Sequence, residues 1–218
     1  MDWTALRLSV WLALLTALVL LPIGVAVARV IAYREFRGKS FAEAALALPL
    51  VLPPTVLGYY LLVSMGSASP AGALWERLTG HPLAFSFEGL LVASVIFNIP
   101  FALLPMQRAF EAIAPELRHA AQCSGLSRWR TLWRIELPLA WPGIASGMVM
   151  TIAHTIGEFG VVLMVGGSIP GETRTIAISI YDRVQAFDMR AAGQMSALLL
   201  ALSFATLVLT SRLARRRR

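Results

Sequence analysis

The sequence predicts an all-α polytopic membrane protein with five transmembrane helices, a cytoplasmic coupling helix between the third and fourth, the amino terminus outside and the carboxyl terminus inside. Three observations carry that expectation. Of the 218 residues, 57% are hydrophobic and 14% charged, with mean hydropathy +0.70. A soluble domain carries about 25% charged residues, so this chain lacks the polar shell that a soluble enzyme of its size needs. Five stretches free of Asp, Glu, Lys and Arg approach or exceed the length of a bilayer crossing, and the basic residues divide unevenly between the segments that join them.

A bilayer core of about 30 Å takes roughly 20 apolar residues at about 1.5 Å rise each. The stretches are 8–28, 44–75, 89–107, 137–157 and 191–211. The second exceeds one crossing, and the Gly, Ser and Pro of residues 66–72 mark a turn, so its helix is expected at about 41–65. One transmembrane domain then occupies 1–218, with spans at about 8–28, 41–65, 88–107, 139–165 and 191–211 and a cytoplasmic loop at 108–138. Ala26-Val27-Ala28 has the form of a signal cleavage site, but Asp2 offsets Arg7 and the positives follow the apolar run, so the segment reads as a retained helix.

Five crossings place the termini on opposite sides, and the excess of Lys and Arg on cytoplasmic loops then orients them. One side holds Arg29, Arg34, Arg37 and Lys39, then Arg108, Arg118, Arg128, Arg130 and Arg134, then Arg212, Arg215, Arg216, Arg217 and Arg218. The other holds Arg7, Arg77, Arg174, Arg183 and Arg190, so fourteen positives face five. The net charge of +7 is thereby topology, and binding to nucleic acid is not needed to explain it. Cys123 is the single cysteine, which excludes an intrachain disulfide and a Cys metal cluster.

Prolines 49, 53, 54, 100, 105 and 142 lie in or at the edges of the expected spans. Each removes a backbone donor, and such breaks survive in a membrane only where protein or water replaces the lost partner. Pro53-Pro54-Thr55 is the sharpest case, with Thr55 placed to offer its hydroxyl to freed carbonyls. An irregular helix lining a passage and a kink packed against neighbours are equally compatible with it.

The loop after the third span is too polar to cross and too apolar to be a free linker. Pro115 and Glu116 suit the first turn of a helix. Leu117, Ala120 and Ala121 recur on one face, and Gly125 is placed as a C-terminal cap. Trp129, Leu132 and Trp133 form a second apolar face beside Arg128, Arg130 and Arg134, which suggests a pair of helices lying along the membrane surface.

The spacing is more specific than that. Ala120-Ala121, three residues, Gly125, nine residues, and Ile135-Glu136-Leu137-Pro138 resemble the signature loop of permease subunits of ATP-binding-cassette importers, EAA, three, G, nine, I-x-L-P. His119 stands where that pattern has Glu. Residues 48–60, around Pro53-Pro54-Thr55, and the run from Gly157-Glu158-Phe159-Gly160 through Ile169-Pro170-Gly171-Glu172-Thr173-Arg174-Thr175 to Ile180-Tyr181 resemble the molybdate branch of those permeases, with sulfate permeases similar at the GEFG stretch.

The resemblance covers about 5–213 and implies a homodimer in the cell inner membrane with the passage on its two-fold axis. It further implies two cytoplasmic ATPase subunits and an extracytoplasmic oxyanion-binding protein. The loop His119, Ala120, Ala121, Gly125, Ile135, Leu137 and Pro138 would couple to the ATPase, which would bind ATP and Mg; this chain itself would hold no cofactor. Molybdate or a related tetrahedral oxyanion would cross by alternating access, with sulfate and tungstate as alternatives.

Gly38-Lys39-Ser40 imitates the end of a phosphate-binding loop, but Tyr33 stands where its first glycine belongs and no strand precedes it. His154 and Glu158 are four apart on one helix face, a spacing open to metal ligation or acid–base chemistry in an intramembrane enzyme. A structural or assembly role is a third class. Near the path of an anion a carboxylate repels, so Glu158 is expected to bond backbone groups around Gly157 and Gly160. Thr55 and Thr155 are the expected anion contacts. Pro53, Pro54, Gly157 and Gly160 complete the candidate path or gate. The outer loops 66–88 and 166–190 carry Arg174, Arg183 and Arg190, either as partners for carboxylates on a binding protein or as solvated charge.

Overall fold

A computed structural model describes residues 1–215, with side chains described through residue 206 and at 208. Eleven α-helices account for most of it, and there is no strand among the described residues. The helices are α1 (Trp3–Tyr33), α2 (Lys39–Val51), α3 (Pro54–Met65), α4 (Pro70–Thr79), α5 (Phe87–Glu111), α6 (Pro115–Cys123), α7 (Arg128–Thr131), α8 (Leu137–Gly157), α9 (Gly160–Gly166), α10 (Ile176–Gln185) and α11 (Met189–Arg215). A π-helical turn, Leu132–Glu136, joins α7 to α8.

The core is a packed trio of α1, α5 and α8. Leu20 and Ala28 of α1 meet Ala102, Leu103, Met106 and Phe110 of α5 and Ala140 and Ile144 of α8. In lipid the drive to associate comes from close packing, which small residues permit. Gly147 of α8 shows the closeness, since a Cβ there would stand 2.7 Å from the carbonyl oxygen of Ala102. Asp2 starts α1 by accepting from Ala5 N at 2.9 Å, and its other oxygen accepts from the Ser179 hydroxyl at 3.0 Å, tying α1 to α10.

Among the described residues three helices are long and apolar enough to cross a membrane: α1, α5 and the helix that runs unbroken over Arg128–Gly157. The pair α2 and α3 passes the same test together, which makes four. The expected fifth span lies on α11, but side chains 207 and 209–211 and the positives of the carboxyl-terminal tail lie outside the described residues.

Three expected elements need correction. The single helix expected at 41–65 is two helices bent by 108°. A proline disfavours the helical region for the residue before it; Leu52 (φ −68°, ψ 136°) and Pro53 (φ −55°, ψ 134°) are both extended, and the two in succession turn the chain. Pro49, Pro100, Pro105 and Pro142, by contrast, sit inside unbroken helices.

The fourth span, expected at 139–165, ends at Gly157, where Glu158 is extended (ψ 135°), and α9 starts anew at Gly160. The Trp129–Trp133 segment is no separate surface helix: α7 and the π turn run on into α8 as one helix over Arg128–Gly157. Pro138 has no N–H and its ring crowds the carbonyl four residues back. The π turn widens the helix just before it, with Leu137 N bonded to Leu132 O.

Candidate functional site: a coupling loop and two broken helices

The loop between α5 and α8 is built from local signals. Ala114 is extended ahead of Pro115, which occupies the first position of α6, with Glu116 in the first turn. The helix closes in a Schellman motif: Leu126 N bonds Ala121 O at 3.1 Å and Gly125 N bonds Gln122 O at 3.0 Å. Gly125 carries the left-handed φ of +76° that this ending demands. Ser127 then caps α7 by accepting from Arg130 N at 3.3 Å.

The two faces of α6 differ in use. Ala121 is buried and Arg118 half-buried beside Glu136 and Tyr33, whereas Leu117, His119 and Ala120 are exposed. The apolar face expected to unite Leu117, Ala120 and Ala121 is thus divided between the body and the outside. Trp129 and Trp133, edge to face at 5.7 Å between ring centres, are exposed beside it at 67% and 57%. Pro138 is exposed, while Ile135 and Leu137 are half-buried.

The anchor of this loop is a residue that sequence reasoning passed over. Glu136, the variable position of Ile135-x-Leu137-Pro138, is 1% exposed and accepts from Arg29 of α1 through both oxygens, Nε to Oε2 and Nη2 to Oε1, the latter at 3.2 Å. Arg118 of α6 approaches Oε1 at 3.4 Å and lays its guanidinium 3.5 Å from the centre of the Tyr33 ring. A buried carboxylate costs several kcal/mol, of order, unless paired and hydrogen-bonded. Here two cations from different helices compensate it and so join α1, α6 and the π turn. A signal was present, in that Glu136 abuts an apolar run in a loop otherwise dominated by arginine.

The second assembly is the meeting of the two helix breaks. α3 packs on α9 so closely that a Cβ on Gly160 would lie 2.7 Å from Cβ of Pro54. Glu158 accepts from Val161 N at 2.9 Å, supplying one of the donors that the start of α9 leaves free. Pro53, Pro54 and Thr55 are exposed, as is Gly157, while Glu158 is 8% exposed. Thr155 is fully buried and its hydroxyl donates to Thr151 O at 2.8 Å, so the structure does not bring it beside Thr55 on an open surface.

His154 and Glu158 take separate partners. His154 Nδ1 lies 3.1 Å from Asn98 Oδ1 and its ring stacks on Phe101 at 3.8 Å between centres. Among the outer cations, Arg174 donates to Ser168 at 3.0 Å and approaches Asp182 at 3.5 Å, and Arg183 pairs with Asp188 at 3.4 Å. Lys39 pairs with Glu35 at 2.8 Å next to Gly38, in a link between two helices.

The family described as "Binding-protein-dependent transport system inner membrane component" matches residues 6–218. The chain belongs to this family. As a family permease it is 44% identical over 206 residues to the molybdenum transport system permease protein ModB of Azotobacter vinelandii, covering 94% of this chain and 91% of that one. It is 37% identical to the Escherichia coli K12 protein of the same description, over 98% and 94% of the two chains. A molybdate/tungstate transport system permease of Pyrococcus abyssi is 32% identical over 94% of this chain and 75% of its own. The fold of the permease is that of a chain in the crystal structure of a bacterial alginate ABC transporter in complex with a periplasmic protein, with TM-score 0.76 at 18% identity over 98% of this chain and 78% of the other. A multi-pass membrane protein of a transport family is therefore what these helices build.

Proposed function

We propose that this chain is the permease subunit of an ATP-driven importer of molybdate or a closely related tetrahedral oxyanion, in the cell inner membrane. The observation that carries the reading is the likeness to molybdenum permeases, which runs over almost the whole chain and includes both helix breaks and the coupling loop. The Pyrococcus relative favours tungstate as the second substrate to test.

In this reading α1, the bent pair α2–α3, α5, the helix Arg128–Gly157 and α11 are five spans, with the amino terminus outside. The asymmetry of basic residues supports that orientation. Two copies pair to enclose a passage. Two cytoplasmic ATPase subunits engage α6 through Leu117, His119 and Ala120 together with Trp129 and Trp133, all of them exposed. Closure of the ATPases moves α6, the Arg118–Glu136–Arg29 linkage carries that movement into α1 and α8, and rigid-body rocking exchanges inward and outward access. An extracytoplasmic binding protein delivers the anion at the opposite face.

At the breaks, Thr55 presents its hydroxyl from the exposed start of α3, the favoured contact for the anion. Thr155, buried and bonded to Thr151 O, steadies the end of α8 at Gly157, while Glu158 caps α9 and Gly160 seats that helix against Pro54. Hydrogen-bond donors that attract without a full positive charge suit a site that must also release.

The test is reconstitution with a cassette ATPase and an oxyanion-binding protein from the same organism, the binding protein loaded with molybdate, tungstate or sulfate. ATP hydrolysis and uptake of radiolabelled anion are expected to rise with molybdate-loaded binding protein. Stimulation by sulfate alone would reassign the substrate, and uptake independent of any ATPase would remove the importer reading.

A further inference from the structure

Beside the buried Glu136 lies a cavity of about 380 Å³, on the side of the molecule that carries most of the basic residues. Four guanidinium groups line it, those of Arg29, Arg34, Arg118 and Arg128, with Tyr33 and a single carboxylate, Glu136. Arg29 already neutralises that carboxylate, and Arg118 stands 3.4 Å from it. Arg34 and Arg128, exposed at the rim, make no ion pair among the described residues. Two buried polar atoms on the lining, Tyr33 Oη and Arg118 Nε, have no hydrogen-bond partner.

Arginine cannot shed its proton to relieve such crowding, so the surplus charge calls for an anion. Planar guanidinium groups match tetrahedral oxyanions in geometry, and basic pockets between helices at a membrane face suit phosphate head groups. The carbonyl end of α1 and the Glu136 carboxylate oppose an anion here. The second is matched by Arg29, and the first is smaller than three remaining full positive charges.

We propose that this cavity is an anion site, distinct from the transport passage, in which Arg34, Arg118 and Arg128 hold a phosphate-type oxyanion beside the Tyr33 hydroxyl. Arg34 follows α1, Arg118 lies on α6 and Arg128 opens α7, so an occupied site draws the coupling helix to the spans. The group is either the head group of an anionic phospholipid or a free oxyanion, and the two sources are separable.

The full-length chain would be purified in zwitterionic detergent and titrated with radiolabelled inorganic phosphate. In parallel it would be extracted from nanodiscs containing phosphatidylglycerol in phosphatidylcholine, and the retained lipid counted by native mass spectrometry. Saturable phosphate binding identifies a free oxyanion; retained phosphatidylglycerol without phosphate binding identifies a lipid. In either case Arg34→Gln with Arg128→Gln should weaken the interaction about tenfold or more, the scale of losing charge-assisted hydrogen bonds, whereas Arg77→Gln on α4 should leave it unchanged. Both substituted arginines are exposed, so an unchanged melting temperature is expected, and the single Arg34→Gln variant serves should the pair misfold. The proposal is overturned if neither probe binds, or if binding persists undiminished in the folded variants.

Discussion

Arg29 and Glu136, 107 residues apart in the chain, form a two-pronged ion pair that fastens the π turn below α8 to the end of α1. With Arg118 as a third member, the pair ties α6 to α1 and to the π turn rather than leaving it an appendage hung from two loops. Removing one partner leaves the other charge buried and uncompensated. Glu136→Ala should therefore destabilise the fold by about 3 kcal/mol, the lower part of the range for broken buried pairs because Arg29 is 29% exposed. Chemical denaturation in mild detergent measures it. The double variant Arg29→Met, Glu136→Met should recover much of that loss while ATP hydrolysis and uptake remain uncoupled; recovery of both would show that the link is structural only.

Gly125 tests the shape of the loop end without touching anything. A Cβ there meets no atom within 4 Å, so only the backbone penalty of φ +76° applies. Gly125→Ala should cost about 1 kcal/mol of stability and lower anion-stimulated ATP hydrolysis, and Gly125→Asn should be milder because Asn tolerates the left-handed region. Equal behaviour of the two variants would contradict the assignment of conformation as the cause.

The contact between Gly160 and Pro54 is a different use of glycine. Here the obstacle is a neighbouring ring, and Gly160→Ala should cost about 1–3 kcal/mol through overpacking, with Gly160→Leu failing to assemble. Uptake assays on Gly160→Ala at reduced temperature separate a displaced passage from simple loss of protein.

In the proposed reading Thr55 is the anion contact, whereas Glu158 caps the start of α9. Thr55→Val should abolish uptake with little change in stability. Glu158→Gln keeps an acceptor for Val161 N and should transport, whereas Glu158→Ala should lose about 0.5–2 kcal/mol, the scale of a lost cap. Loss of uptake in Glu158→Gln with normal uptake in Thr55→Val would reverse the assignment.

Local physics wrote much of this protein visibly. The membrane class, the bounds of α6, the left-handed Gly125 and the break at Pro53-Pro54 follow from hydropathy, cap chemistry and the missing N–H of proline, each of which acts within a few residues. The ends of α1 and α5 were less legible, because helices continue past the apolar run into flanking polar residues that the apolar count excludes.

What no window along the chain contains is the partner of a buried group. Glu136 finds Arg29 across 107 residues, His154 finds Asn98 across 56, and Gly160 meets Pro54 because two broken helices are pressed together. Prolines likewise report a possible break rather than its outcome; Pro100 and Pro142 bend nothing apart, while Pro53 and Pro54 turn the chain by 108°. Composition and spacing thus set the membrane class and the local course of α6. Packing among α1, α5 and α8 decided which charges could be buried together, since only side chains brought within a few ångströms can compensate one another's lost water.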